Sequence, residues 1–333
     1  MKKRQAPGVA RRTLLVGGAA AASLGWLARP ARASTIESAR IVLGAPAGGS
    51  GDLMARKLAD KLRGIYANSV VVDNRTGAGG QIALTHVKDA PGDGSVLLLT
   101  PSSLMALYPY TYRKLPYRPV EDFAPVTLTA YANHALAVGP AVPASVKTLS
   151  DFLAWAKANP SKASYGSPAS GAIPHLLMAY IAHTTGAPLT HVPYRGSAVA
   201  LQDLRGGTLA AHCGPAGVFL PLLGTGQVRL LCVSGEERSK FAASVPTFRE
   251  SGVNLTAREW YGFFLPAKAS KDVVAHANKS LRGALAQPDV AESLAQYGLE
   301  PASSTPEQLA AMMAADSEEW RTVVAKIGFT AES

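Results

Sequence analysis

Two cysteines, Cys213 and Cys232, in a chain of 333 residues exclude a disulfide-stapled scaffold and any Cys-x-x-Cys motif. Both stand in apolar runs, TLAAHCG and VRLLCVSG, that read as buried strands. Buried free thiols are the first reading and a single bridge the alternative. Catalytic signatures are missing too, with no Gly-x-Ser-x-Gly and no His-Glu-x-x-His. The seven histidines (86, 134, 175, 183, 191, 212 and 276) show no close metal-ligand spacing, and His183 and His191 lie eight apart across a turn. No catalytic residue, cofactor or metal is therefore expected. After residue 33 there is no transmembrane run, no internal repeat and no low-complexity linker.

Charge of one sign is absent from the first 33 residues, which hold seven of the 33 Lys and Arg and no Asp or Glu. They open with Lys2, Lys3 and Arg4 and reach Arg11-Arg12 before the apolar stretch TLLVGGAAAASLGWL. They end Ala31-Arg32-Ala33, a small-residue cleavage pattern. Residues 1–33 thus read as a secretory signal peptide of the twin-arginine type, an ordinary basic leader being the alternative. Without them the chain carries 26 basic against 23 acidic groups, or +3 rather than +10. That balance gives no support to nucleic-acid binding, which needs clustered basic residues.

What is present is an alternation of apolar β-rich runs with amphipathic segments. Strands are predicted over 39–45, 69–74, 95–100, 126–139, 162–167, 189–194, 208–213, 228–234 and 259–267. Helices are predicted over 52–63, 149–158, 173–184 and 197–205, with a long one from Thr305 to Lys326. Thr148 with Asp151, and Thr305-Pro306-Glu307-Gln308, are helix-start signals. Such alternation argues for βα units and mostly parallel sheets covered on both faces. The run 126–139 is a candidate crossover between two lobes and 259–267 a candidate return.

Small residues crowd the loops that follow the strands: APAGGSGD (45–52), NRTGAGGQ (74–81), TPSS (100–103), YGSPASGAIPH (165–175) and PYRGSA (193–198). Ligands in open α/β sheets bind at the carboxyl ends of strands, where helix N-termini offer free N–H groups to an anion. A nucleotide fits poorly. Asp52-Leu53-Met54 replaces the Lys and hydroxyl of a P-loop, and the starts at Gly49-Ser50-Gly51 and Gly77-Ala78-Gly79 lack the third glycine. Single residues keep two readings each. Asp52 is an acid for catalysis or, more simply, a helix N-cap. His175 orients an anion, or packs and caps. Arg195 grips a carboxylate or is a solvated loop residue. Trp260-Tyr261 line a pocket or fill the core.

Seven stretches, APAGGSGDLMARKLADKL, VVVDNRTGAGGQIA, APGDGSVLLLTPSS, LPYRPVEDFAPVTL, YGSPASGAIPHLLM, HVPYRGSAVALQDLRGG and VPTFRESG with WYGFFLPA, closely resemble the Bug-type solute receptors. These are periplasmic binding proteins of tripartite tricarboxylate transport systems, and the match runs in order through residues 40–330. The resemblance implies an α/β, type II periplasmic-binding-protein fold that closes on its ligand by hinge motion. Its two lobes, each with a mostly parallel sheet flanked by helices, would be joined by crossover strands. Lobe 1 would comprise 34–133 and 258–333, and lobe 2 would comprise 134–257. It further implies no enzymatic activity, with a secreted α/β enzyme as the competing reading. The expected ligand is a small organic mono- or dicarboxylate, and the expected partners are membrane transporter subunits or a sensor protein. The protein is expected to be a periplasmic monomer. Carried over, the ligand-binding positions are Ala47, Gly48, Gly49, Ser50 and Asp52 in lobe 1, with Thr100, Ser102 and Ser103 along the wall. In lobe 2 they are Ser167, Ser170, Gly171 and His175, supported by Gly196 and Ser197, and Arg195 joins the candidate set as a cation of these loops. This chain departs from the pattern at Ala172, where relatives carry a hydroxyl, and at Ala179 and Gly214, where many carry an acid. Loss of an acid removes a partner for an amino group, so the implied ligand is a non-amino organic acid.

Overall fold

The computed structural model describes Ile36–Ala331, so the signal-peptide reading of 1–33 lies outside the described residues. Among the described residues no helix is long and apolar enough to cross a membrane. The elements run β1 (Ile36–Leu43), α1 (Ser50–Leu62), β2 (Ala67–Asn74), α2 (Gln81–Asp89), β3 (Val96–Pro101), α3 (Tyr108–Thr111) and β4 (Phe123–Val138). They continue α4 (Leu149–Ala158), β5 (Ser164–Ser167), α5 (Ile173–Thr185), β6 (Thr190–Pro193), α6 (Ser197–Gly206), β7 (Ala211–Pro215), β8 (Arg229–Val233) and β9 (Arg258–Pro266). The chain ends α7 (Lys271–Leu285), α8 (Pro288–Ala295), β10 (Leu299–Pro301) and α9 (Pro306–Ile327). All nine predicted strands are present, and the three-residue β10 is the addition.

Strand order is β2-β1-β3-β9-β4-β7-β5-β6, with β8 and β10 also on β4. β4 belongs to both sheets. Its first part, to Asn133, pairs with β9 and β10, and His134–Val138 pairs with β7 and β8. The predicted crossover is thus a single sixteen-residue strand. Parallel pairing holds within β2-β1-β3 and β6-β5-β7, as expected of βα units. The linking strands β4 and β9 run antiparallel to their neighbours, so both sheets are mixed. The reason is connectivity, since strands that carry the chain out of one lobe and back run against those on either side.

Each sheet is covered on both faces. On the lobe 1 sheet, α1, α7 and α8 close one face around Met54, Leu58, Leu281 and Phe263, and α2 with the start of α9 closes the other around Leu84, Leu98 and Leu309. In lobe 2, α4 and α5 pack Phe152, Leu176 and Ile181 on one face, and α6 packs Leu204 with Phe219 on the other. The later turns of α9 (Trp320, Val324) join the α5 side, so this helix touches both lobes. Its capping box is formed, Thr305 Oγ1 accepting from Gln308 N at 3.2 Å and Gln308 Oε1 from Thr305 N at 2.9 Å. The same reciprocal pair starts α4 at Thr148 and Asp151.

Cys213 and Cys232 are both buried and free. Each pairs opposite Leu136 from its own side of β4, two strand spacings or roughly 10 Å apart. That exceeds the reach of a disulfide, and the bridged alternative falls.

Candidate functional site

In the first loop, helix α1 begins at Ser50 with Gly49 as its N-cap, and no side chain caps it. Asp52 is therefore not the N-cap. It sits in the first turn, 1% exposed, and reaches back so that Oδ2 accepts from Gly48 N at 2.9 Å. Arg56 Nε donates to the same oxygen at 2.9 Å, and Asn74 Nδ2 donates to Oδ1 at 2.9 Å. Asn74 Nδ2 also donates to Ala45 O at 3.0 Å. Burial pushes the Asp52 carboxyl up, but the Arg56, Gly48 and Asn74 donors outweigh it and hold it below its ordinary value. With both oxygens engaged, Asp52 organises the loop. Gly48 turns at φ +84°, a conformation L side chains rarely adopt, and it is exposed along with Ala47. Ser50 is 8% exposed at the helix start.

Along the wall, Thr100, Ser102 and Ser103 are each 1% exposed or less. Ser103 Oγ donates to Glu259 Oε1 at 2.6 Å, and Ser103 N donates to the same oxygen at 3.3 Å. The second carboxylate oxygen stands 3.1 Å from Nε2 of the fully buried His134. Burial pushes Glu259 up, yet His134 and Ser103 hold it below its ordinary value, so a carboxylate is buried where β4 and β9 carry the chain between lobes. Neither Glu259 nor His134 was singled out from sequence. A charged letter at the mouth of the apolar run EWYGFFLP was the available signal. In the described residues Ser102 Oγ, Asn133 Oδ1, His134 Nδ1 and His212 Nε2 are buried without a hydrogen-bond partner. Trp260 is core, donating to Asp316, whereas Tyr261 reaches the α1 start, where a methyl on Gly51 would lie 3.5 Å from its ring.

The second loop is built from β5 and the start of α5. Its N-cap, Ala172, makes no side-chain cap. His175 is 7% exposed and its Nδ1 accepts from Gly171 N at 3.1 Å. Its ring stacks on His191 at 3.5 Å between centroids. Ser167 Oγ lies 2.8 Å from His191 Nε2. Ser170 O accepts from Tyr112 OH at 2.8 Å and Ile173 N donates to Ser103 Oγ at 3.1 Å, so lobe 1 residues hold both. The third loop leads into α6, whose N-cap Gly196 makes no side-chain cap. Ser197 is half-buried beside it. Arg195 is exposed, with no partner among the described residues.

The first and third loops touch. A methyl at Gly196 would come within 2.7 Å of Pro46 Cγ, and φ there is +97°. The structure therefore brings the starts of α1, α5 and α6 to the seam between the lobes. Of the other helices of eight residues or more, α4, α7 and α9 carry a side-chain N-cap, whereas α2 and α8 do not.

Three histidines of lobe 2 are held neutral. Burial pulls His175 to about 3, aided by His191, and pulls His191 and His212 to about 4 each. Unfolded histidine titrates near about 6.5, so below that pH the unfolded chain binds more protons than the folded one. The sign follows. Stability falls as pH drops from about 6.5 towards the folded values. The melting temperature is expected to decline across that window, and a His175→Gln/His191→Gln variant to decline less. A parent curve flat between pH 7 and pH 4 would contradict neutral burial.

The chain is similar to several known proteins. BugT of Bordetella pertussis is 32% identical over 321 residues, covering 95% of this chain and 98% of BugT. An R. palustris protein solved with adipate is 29% identical with a TM-score of 0.83, covering 88% of this chain and 98% of its own. MatC of Rhodopseudomonas palustris with bound malate is 26% identical with a TM-score of 0.80, covering 87% and 99%. Two of these relatives are thus solved with a small dicarboxylate. The family described as the tripartite tricarboxylate transporter family receptor matches residues 54–329, and the chain belongs to that family.

Proposed function

We propose that this protein is a periplasmic receptor that clamps a small organic mono- or dicarboxylate between its lobes and delivers it to a tripartite tricarboxylate-type transporter. The observation that carries the reading is the convergence of α1, α5 and α6 at one seam, each starting without a side-chain cap. The unengaged N–H groups of their first turns and the positive ends of their dipoles form an anion site, Ile173 N being already held by Ser103. Adipate and malate in the structural relatives support carboxylates as the class. The residues assigned to the ligand are Gly48, Gly49 and Ser50 on one side, and Ser170, Gly171, Gly196 and Ser197 on the other. Asp52 and Ser103 position these loops. In this reading the protein binds and releases its ligand unchanged, as a receptor of this family does.

A carboxylate at 100 times its Kd should stabilise the protein by about 2.7 kcal/mol, a shift of several degrees in melting temperature. The screen covers C3–C8 mono- and dicarboxylates and amino acids, with the mixture assayed for turnover. A shift with some carboxylate and no product is expected. Silence to all carboxylates, or consumption of one, would overturn the reading.

A further inference from the structure

His212 lies on β7 at the lobe 2 end of the seam, and it is fully buried. Its Nδ1 is 3.0 Å from Gly166 O, and a carbonyl only accepts, so Nδ1 carries the ring proton. Nε2 is therefore a bare acceptor, and it has no partner. Such a buried orphan acceptor is costly unless something meets it. Gly214, two residues along the same face of β7, has no side chain. A methyl there would stand 2.8 Å from His212 Nε2 and 3.0 Å from Ser197 Oγ. The acceptor and the serine hydroxyl thus both stand close to one position that carries no side chain. Ser197 is the first residue of α6, next to Gly196, which touches Pro46 of the other lobe.

We propose that His212 Nε2 and Ser197 Oγ bracket a hydroxyl of the ligand, making this receptor selective for hydroxy acids over their deoxy counterparts. The hydroxyl donates to Nε2 and accepts from Ser197. The assignment rests on the carboxylate reading above and adds the second polar group of the ligand. An ammonium would also supply a donor. However, no carboxylate joins this cluster of Gly214, Ser197 and a neutral imidazole, so it would bring an uncompensated buried charge.

The test is titration calorimetry on the full mature chain with succinate, malate and aspartate, and with propionate, lactate and alanine. The expected order in at least one set is the hydroxy acid first, by tenfold or more over the deoxy acid, and the amino acid last. In His212→Phe, which keeps a buried ring, the preference should fall to within about threefold. Ser197→Ala, at the surface end of the pair, should reduce it without affecting the fold. Deoxy and hydroxy acids binding equally, an amino acid binding best, or the preference surviving in folded His212→Phe and Ser197→Ala would each overturn the assignment while sparing the carboxylate reading. Silence of these six acids while another carboxylate of the thermal screen binds would overturn the assignment alone, and silence of every carboxylate in that screen would remove both. A water held between Nε2 and Ser197 that stays in place in the hydroxy-acid complex would also overturn it.

Discussion

Replacing Glu259 by alanine is expected to cost about 3–5 kcal/mol, lowering the melting temperature by roughly 10 °C. The magnitude follows from what is left behind. Glu259 is 4% exposed, and its carboxylate takes the Ser103 hydroxyl and N–H on one oxygen and faces His134 on the other. Alanine leaves the buried His134 imidazole and the hydroxyl and N–H donors of Ser103 without their acceptor, and a cavity beside them. Glu259→Gln keeps an oxygen for Ser103 and should cost less than half as much. Thermal melts of the two variants beside the parent chain decide the matter. Equal stability of the alanine variant would show that the pair contributes nothing net. The effect should extend to the seam, because the Ser103 hydroxyl also accepts from Ile173 N at the start of α5.

This network marks the limit of what the letters disclose. Strand alternation and the two capping boxes were legible because their signals are local, with partners three residues apart or apolar runs bounded by glycine and proline. β10 was not, since Leu299-Glu300-Pro301 is too short to show a period. Asp52 illustrates a half-legible residue. Its preference for helix starts was correct, but the helix begins two residues earlier, and the side chain serves Gly48 from inside the first turn. The burial of Glu259 depended on His134 and Ser103, 125 and 156 residues away. No spacing rule reaches that far. Similarly, the five small-residue loops were visible as loops, but only the family resemblance, and no spacing in the sequence, set loops of the two lobes against each other. Pro46 and Gly196 are brought together by two sheets joined through β4, a juxtaposition that only the topology creates.

That contact yields the second large effect. Gly196→Ala should weaken binding of the carboxylate found in the thermal screen by roughly 10–100-fold, the equivalent of about 1–3 kcal/mol of overpacking. Two costs must be separated. At φ +97° alanine strains the backbone wherever the lobes stand, which lowers stability without altering the binding equilibrium. The collision with Pro46 Cγ at 2.7 Å exists only when the loops meet, so it opposes the lobes-together state that the ligand bridges. Pro46→Ala removes Cγ and Cδ, the two atoms that a methyl at 196 would strike. The double variant Pro46→Ala/Gly196→Ala is therefore expected to regain at least tenfold in affinity over Gly196→Ala while remaining as destabilised. Small-angle scattering gives an independent readout. Ligand should compact the parent and the double variant, and Gly196→Ala should stay extended at the same ligand concentration. If the single variant binds as the parent does, the Pro46–Gly196 contact plays no part in capture. If Pro46→Ala restores nothing, backbone strain alone accounts for the loss and the two loops do not act as opposing jaws.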